Sequence, residues 1–353
     1  MVDEQQVHQA LREVKHPESG RSLMELGMIR DIRVDDKQVR FTVVLPFMNV
    51  PIKDQVVSEA RAAVEGLPGV KGVDVELAEM TQEERARFMA AQEKRVGLAE
   101  QFNRIQHVIA VVSGKGGVGK SLVAGLLAIA LRREGHEVGL LDADITGPSI
   151  PKMFFPTQRH PNNSPLGILP VETEAGIKVM SINLLLPQED EAVIWRGPLI
   201  STAIKQFWGD VVWGDLDYLI VDLPPGTADA SLTVMQAIPL QGVVLVTSPQ
   251  DLAAMVVRKA ARMARVMGVP ILGVVENMSY VVCPDTGRRL EVFGPSKAEM
   301  MVAQLGVPLL GRLPIDPQIA QFCDEGRIEE YRSDTFAAIA RQLAETAPLV
   351  DER

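Results

Sequence analysis

The apolar positions of the first 80 residues change between helical and strand-like spacing. Val7, Leu11 and Val14 recur at the spacing of a helix. Two strand-like runs follow at residues 28–34 and 39–45, a second helical pattern covers residues 52–67, and alternation over residues 70–77 predicts a third strand. The order α-β-β-α-β predicts a small, self-sufficient α+β domain at residues 1–80.

Residues 81–104 differ in composition from the sequence on either side. Charged and glutamine side chains dominate, and neither glycine nor proline occurs before Gly97. We therefore predict a charged helical linker at 81–104, which separates the small domain from a second domain at residues 105–353.

The second domain shows strand-like and helical patterns in alternation. The first predicted helix covers residues 122–133. The predicted strands lie at residues 107–113, 138–141, 218–221, 243–247, 271–275 and 309–311. Such alternation predicts an α/β fold with a doubly wound parallel sheet that helices cover on both faces.

A glycine-rich loop joins the first strand of this domain to its first helix. It reads Gly114-Lys115-Gly116-Gly117-Val118-Gly119-Lys120-Ser121, which fits the G-x-x-x-x-G-K-S pattern of a phosphate-binding loop, or P-loop. Backbone N–H groups of such a loop converge on phosphate oxygens, and the following helix presents its positive end. We expect Lys120 to reach the terminal phosphates of a nucleoside triphosphate and Ser121 to bind Mg²⁺. The fold is therefore predicted to be that of a P-loop NTPase.

Acidic and amide side chains follow several of the predicted strands. Asp142, Asp144, Asp222 and Asn277 each come at or just after a strand end, which is where ligands bind in such sheets. We predict that Asp222 joins Ser121 in holding Mg²⁺, and that Asp144 rather than Asp142 orients the attacking water. Taken singly, each aspartate could equally be a helix cap or a turn residue.

Lys115 distinguishes this loop from an ordinary P-loop. Because Lys120 already serves the loop's own phosphates, a lysine after the first glycine is placed to reach a phosphate bound by a facing subunit. Residues 115–121 resemble the loop of the deviant Walker A ATPases, in which this lysine completes the partner's site in an ATP-sandwiched dimer. The resemblance implies ATP as the nucleotide and a homodimer across the ATP site. The alternative is a surface lysine without a role.

Longer stretches are similar to the Mrp/ApbC group of iron–sulfur cluster carrier ATPases. These stretches are residues 141–151, 193–198, 217–227 and 274–280, while residues 16–31 and 67–75 resemble the small domain of iron–sulfur assembly factors. The resemblance implies an ATPase that assembles clusters or transfers them to apoproteins, with scaffold or recipient proteins as partners. It also implies that Asn277, Pro314 and Asp316 contribute to the adenine site.

The cysteines depart from the pattern of that family. The family holds its cluster with a C-x-x-C pair, so that two subunits supply the four thiolates that a [4Fe–4S] cluster ordinarily requires. Here the second position is Thr286, Val50 replaces a cysteine of many small domains, and Cys323 fits a small apolar residue in a helix. Cys283 is therefore the one predicted thiol ligand of a cluster at the dimer interface. The alternatives are an inert cysteine and a nucleotide-switched adaptor that holds no cluster.

Composition bears on location and partners. A net charge of −10 over 353 residues and a pI near 5.2 give no general attraction to nucleic acid or anionic lipid. No apolar run reaches the length of a membrane span, and the first residues lack the basic and apolar regions of a signal peptide. We therefore expect a cytoplasmic protein without nucleic-acid or membrane partners.

Overall fold

The structure, a computed structural model, describes residues 2–17, 21–35, 37–46, 53–81, 84–85, 88, 99–145, 147–186, 197–226 and 229–347. The chain divides into two compact units, Met1–Val96 and Gly97–Arg353. Most of the predicted linker lies outside the described residues. The same holds for Val50 and for residues 193–196, the latter being part of a stretch that resembles the family.

The first unit is a three-stranded sheet with two helices. Its elements are α1 (Glu4–Glu13), β1 (Ile29–Asp35), β2 (Gln38–Leu45), α2 (Lys53–Glu65) and β3 (Gly72–Glu79). Strand β2 lies in the centre, antiparallel to β1 and parallel to β3. Val7 and Leu11 of α1 and Val56 and Val64 of α2 are buried in one core with Phe41 of β2, because helical spacing puts them on the same face of each helix. The predicted α-β-β-α-β order is confirmed.

The second unit alternates strands and helices. Its first half contains β4 (Arg104–Ser113), α3 (Lys120–Arg133), β5 (Val138–Asp142), α4 (Ile150–Phe154), β6 (Asn162–Ser164), β7 (Gly167–Leu169), β8 (Val171–Glu172), β9 (Lys178–Ser181), α5 (Gly197–Gly209) and β10 (Asp215–Asp222). The second half contains α6 (Asp229–Ala237), β11 (Gly242–Thr247), α7 (Asp251–Val266), β12 (Ile271–Val282), β13 (Arg289–Leu290), α8 (Ala298–Leu305), β14 (Leu309–Pro314), α9 (Pro317–Asp324) and α10 (Asp334–Thr346).

Nine of these strands form one sheet, in the order β13-β12-β11-β4-β10-β5-β9-β8, with β14 beside β12. Its strands are parallel except for β13 and β8, which pair antiparallel to their neighbours. Successive residues of β4 enter two different cores: Ile109 and Val111 pack with Leu127 of α3, whereas Ala110 packs with Ala260 of α7. Helices therefore cover both faces, which confirms the predicted doubly wound parallel sheet.

Strand β12 differs from its prediction in a way that matters for the site. It was expected to end at residue 275 but continues to Val282, so the expectation that Asn277 follows the strand is wrong. The polar residues that suggested a strand end are buried with partners: the Glu276 carboxylate accepts hydrogen bonds from Ser279 (2.7 Å) and Arg312 (3.2 Å). Strand β14 likewise runs to Pro314, beyond the predicted residue 311.

None of the described helices is both long enough and apolar enough to cross a membrane.

Candidate functional site

The P-loop lies between β4 and α3 and is held against β12. Gly119, the N-cap of α3, has a left-handed backbone with φ of 77°, which strongly favours glycine. A Cβ atom at Gly119 would overlap the side-chain amide nitrogen of Asn277. That nitrogen donates to the Val118 carbonyl at 3.0 Å, and at the start of the loop the Ser113 hydroxyl donates to the Lys115 carbonyl at 2.9 Å. Close packing therefore fixes the shape of the loop.

Four of the predicted site residues form one cluster at the carboxyl ends of β5 and β10. The Lys120 ammonium lies 2.5 Å from Asp222 Oδ1, 3.9 Å from Asp144 Oδ2 and 3.3 Å from Ser121 Oγ. Lys120 itself is only 6% exposed. In this structure its charge is therefore neutralised by the carboxylates that were predicted to assist catalysis and bind metal.

Asp222 has the chemistry of a metal ligand. It is fully buried, and its Oδ2 has no hydrogen-bond partner among the described residues. Burial raises the pKa of Asp222, while the charge of Lys120 opposes that increase. A buried carboxylate oxygen without a donor, close to the Ser121 hydroxyl, is the kind of oxygen set that a hard cation such as Mg²⁺ prefers.

Asp142 lies beside Asp222 in the sheet but has different surroundings. The two residues are register partners on the neighbouring strands β5 and β10. Asp142 Oδ1 accepts from the Asp144 N–H (3.2 Å), and its Oδ2 accepts from the Ile150 N–H (3.3 Å) and the Ser181 hydroxyl (3.1 Å). Burial, with a further contribution from Asp222, raises the pKa of Asp142 to about 8. Asp142 therefore holds the segment that carries Asp144.

Lys115 lies at the rim of the loop. Its ammonium donates to the side-chain oxygen of Gln250 at 2.7 Å, and it forms no ion pair with a carboxylate among the described residues. Gln250 is the N-cap residue of α7 and was not singled out in the sequence, because no local pattern connects it with the P-loop. Within one chain, the Lys115 ammonium thus has no carboxylate partner in the described part.

The residues predicted to hold adenine lie on neighbouring strands. Asn277 is in β12 and Pro314 ends β14, the strand that pairs with β12. The Asn277 side chain is used internally, since its oxygen accepts from the Met278 N–H and its nitrogen donates to the P-loop. Asp316 caps α9 and accepts from the Tyr331 hydroxyl at 3.0 Å. Their role in adenine binding stays a prediction.

Cys283 follows the last residue of β12, where a turn leads into β13. It is partly exposed, its N–H donates to the Arg288 carbonyl at 2.9 Å, and its carbonyl accepts from the Gly287 N–H at 2.9 Å. Hydrogen bonds from the Thr286 hydroxyl and from the N–H groups of Asp285 and Thr286 lower the pKa of the Cys283 thiol. Thr286, which replaces the second cysteine, is therefore one of the groups that lower the pKa of the first one.

Cys323 belongs to a different environment. It lies in α9 and packs against the core, and burial raises its pKa to about 11. This agrees with its prediction as a small apolar residue. Among the described residues, no group of three or more His, Cys, Asp or Glu side chains is arranged to hold a metal ion.

A P-loop between a parallel strand and a helix, with two aspartates around its lysine, defines the protein as a P-loop NTPase. Comparison with known families is more specific: the sequence model of the NUBPL iron-transfer P-loop NTPases, of the ParA group, matches residues 104–347. The model of the iron–sulfur cluster assembly protein matches residues 4–77. The chain belongs to the NUBPL-type family of iron-transfer P-loop NTPases and carries an iron–sulfur assembly domain before the P-loop domain.

Individual relatives agree with this assignment. The iron–sulfur cluster carrier protein of Synechocystis is 41% identical over 344 residues, which is 95% of this chain and 95% of the relative. The carrier protein of Deinococcus radiodurans is 40% identical over 344 residues, covering 95% of this chain and 93% of its own.

Solved structures resemble the P-loop domain. A nucleotide-binding protein from Archaeoglobus fulgidus in complex with ADP is 46% identical, with a TM-score of 0.60, and the match covers 66% of this chain and 91% of that one. The cell division ATPase MinD of Pyrococcus furiosus has the same fold, with a TM-score of 0.50 at 23% identity over 68% of this chain and 99% of that one.

Proposed function

We propose that the protein is an ATP-hydrolysing carrier that assembles iron–sulfur clusters or transfers them to apoproteins, and that it works as a homodimer. The observation that carries the catalytic part is the cluster of buried Lys120, Asp144 and Asp222 with half-buried Ser121 beside the P-loop. The cargo is supported by the relatives that are named iron–sulfur cluster carrier proteins.

Each side chain of the cluster has a role in this proposal. Ser121 and Asp222 would hold Mg²⁺, which supplies positive charge to the phosphates when it is bound. Lys120 would leave Asp222 and donate to the oxygens of the terminal phosphate, where negative charge develops during transfer. Asp144, 3.9 Å from the Lys120 ammonium, would accept a hydrogen bond from the attacking water and orient it. P-loop N–H groups at Gly114, Gly116, Gly117, Val118 and Gly119 would bind the remaining phosphate oxygens.

Lys115 connects hydrolysis to dimerisation in this proposal. Its ammonium, whose partner among the described residues is the neutral Gln250, would move to a phosphate bound by the facing subunit. A cation supplied from the second chain would make hydrolysis depend on a closed homodimer. Adenine would lie beside Asn277, Pro314 and Asp316, where β12 and β14 are paired.

Cys283 is the proposed cluster ligand. A thiol with a lowered pKa at a partly exposed turn is suited to bind iron as the thiolate. A homodimer would bring two such thiolates, whereas a [4Fe–4S] cluster ordinarily takes four. We therefore propose that the cluster is labile and that a donor or recipient protein completes its ligand set.

A second candidate function follows from the same turn. Because Thr286 occupies the place of the second thiol, the protein would instead be a nucleotide-switched adaptor that holds no cluster itself. In both versions the partners are iron–sulfur scaffold or recipient proteins. We place the protein in the cytoplasm, supported by the chicken relative named cytosolic Fe-S cluster assembly factor NUBP2, which is 43% identical over 255 residues.

Measurement of ATP hydrolysis tests the catalytic part. We expect the parent protein to hydrolyse ATP with Mg²⁺ and Lys120→Ala to be inactive. Lys115→Ala should bind nucleotide like the parent but hydrolyse it slowly and fail to dimerise with ATP in size-exclusion chromatography. A Lys115→Ala variant that hydrolyses ATP as fast as the parent would rule out the cross-subunit role.

Anaerobic reconstitution with iron and sulfide tests the cargo. We expect visible cluster absorbance in the parent and in Cys323→Ala, the matched cysteine control, but not in Cys283→Ala. Parent protein that stays colourless would favour the adaptor. In that case a pull-down of iron–sulfur assembly factors should succeed with the full chain and fail when residues 1–80 are deleted.

A further inference from the structure

The segment that carries Asp144 is tied at both ends to one carboxylate. Asp142, the last residue of β5, accepts the Asp144 N–H on Oδ1 at 3.2 Å and the Ile150 N–H on Oδ2 at 3.3 Å. Because Ile150 begins α4, the same side chain fixes where the segment starts and where the next helix begins. The orientation of the Asp142 carboxylate therefore sets the position of Asp144.

Ser181 sets that orientation. It is the last residue of β9 and the register partner of Asp142 across the sheet. Its hydroxyl is fully buried, donates to Asp142 Oδ2 at 3.1 Å and accepts from the Asn183 N–H at 3.4 Å. A hydroxyl that donates one hydrogen bond and accepts another has a fixed orientation. The position of β9 therefore determines the orientation of the Asp142 carboxylate.

We infer that Ser181 is a positioning residue for ATP hydrolysis, which acts through Asp142 to hold Asp144 where it orients water. The inference rests on the proposed function of this site. Ser181 is outside the P-loop and outside every motif that pointed to the nucleotide. Without its hydroxyl, Asp142 Oδ2 loses the shorter of its two described hydrogen bonds and keeps only the one from the Ile150 N–H. The carboxylate is then held less firmly, and the position of Asp144 with it. Small displacements of a group that orients a reactant lower the rate of the chemical step more than they lower binding.

The test compares steady-state ATP hydrolysis by the parent, Ser181→Ala and Ser181→Thr. Loss of one buried hydrogen bond should lower kcat of Ser181→Ala about fivefold. KM for ATP and the affinity for ADP should stay as in the parent, because the P-loop is untouched. Ser181→Thr keeps the hydroxyl and should recover most of kcat.

Thr173→Val is the matched control. It also removes a buried hydroxyl, but one at the opposite end of β9 from Ser181, where it donates to Glu329 at 2.5 Å and accepts from the Ile177 N–H at 3.1 Å. Because it does not contact Asp142, this substitution should leave kcat unchanged. A kcat of Ser181→Ala equal to that of the parent overturns the inference. So does a Ser181→Thr variant that is as thermally stable as the parent but has the same low kcat as Ser181→Ala. If Ser181→Ala does not fold, Ser181→Cys, a weak donor, is expected to show the same loss of kcat.

Lys120→Ala separates this inference from the function on which it rests. A parent protein no more active than Lys120→Ala overturns both the proposed ATPase and the role of Ser181. An active parent with a parent-like Ser181→Ala overturns the role of Ser181 alone.

Discussion

Replacing Lys120 with methionine in the nucleotide-free protein removes a buried charge while keeping most of the side chain's bulk. The ammonium lies 2.5 Å from Asp222 Oδ1 and is 6% exposed, and Asp222 is fully buried. Removing one partner of a buried ion pair costs about 3–5 kcal/mol, because the other charge stays buried without compensation. For a domain of this size we expect the thermal midpoint Tm to fall by about 10 °C.

The loss should depend on pH in a defined direction. Burial raises the pKa of Asp142 to about 8 and also raises that of Asp222, whereas the pKa of an aspartate in the unfolded chain is about 4. A folded pKa above the unfolded one means that the free energy of unfolding falls as the pH rises between these values. Without Lys120 both pKa values rise further. Up to about pH 8 both proteins therefore lose stability in parallel. The difference in Tm between parent and Lys120→Met should widen above pH 8, where the Asp142 carboxyl ionises in the parent but stays protonated in the variant.

Calorimetry or dye-monitored unfolding between pH 6 and about 10, with EDTA and without nucleotide, measures this difference. Lys115→Met is the matched control, because the same substitution in the same loop breaks one described hydrogen bond, to the neutral Gln250. Its free energy of unfolding should change by no more than about 0.5 kcal/mol. Equal Tm values for the two variants at pH 8, or a difference that does not vary with pH, would refute the electrostatic account of the cluster.

Two further predictions concern the loop and the thiols. Gly119→Ala should destabilise the nucleotide-free protein by about 1–3 kcal/mol, because of its backbone angle and the overlap with Asn277. Gly116→Ala, with no other atom within 4 Å of its Cβ, should melt like the parent, and the reverse order of Tm values would contradict the packing. Cys283 should react with iodoacetamide near pH 7 much faster than Cys323, because the pKa of Cys283 is lowered and that of Cys323 is about 11. Mass spectrometry that finds Cys323 modified first would show these assignments to be wrong.

Local patterns account for the parts of the fold that the sequence predicts well. The small domain and the parallel strands are visible because apolar spacing is set by each element's own geometry. The P-loop is visible because phosphate binding requires glycines and a lysine close together in sequence. The acidic cluster follows from the same logic, since parallel strands end at one edge and bring Asp144 and Asp222 together there.

Partners that are distant in sequence account for what the prediction missed. The run around Asn277 looks like the end of a strand because its residues are polar, yet Glu276 is buried with Arg312, some 36 residues away. Asn277 is buried against Val118, 159 residues away. Strand β9 is only four residues long, too short for its spacing to reveal it, and with it Ser181 was missed. No local pattern contains these pairings.

The same limit applies to assigning roles among chemically identical side chains. From sequence, Asp142 and Asp144 differ only in position, and Asp144 was preferred as the residue that orients water. The structure distinguishes them by their donors: both oxygens of Asp142 accept hydrogen bonds from the protein, so binding a ligand would cost it a bond it already has. Asp144 accepts from the Gly147 N–H and faces the Lys120 ammonium, while Asp222 keeps one buried oxygen without a described partner. We therefore expect Asp142 to act on the protein, Asp144 on water and Asp222 on the metal ion.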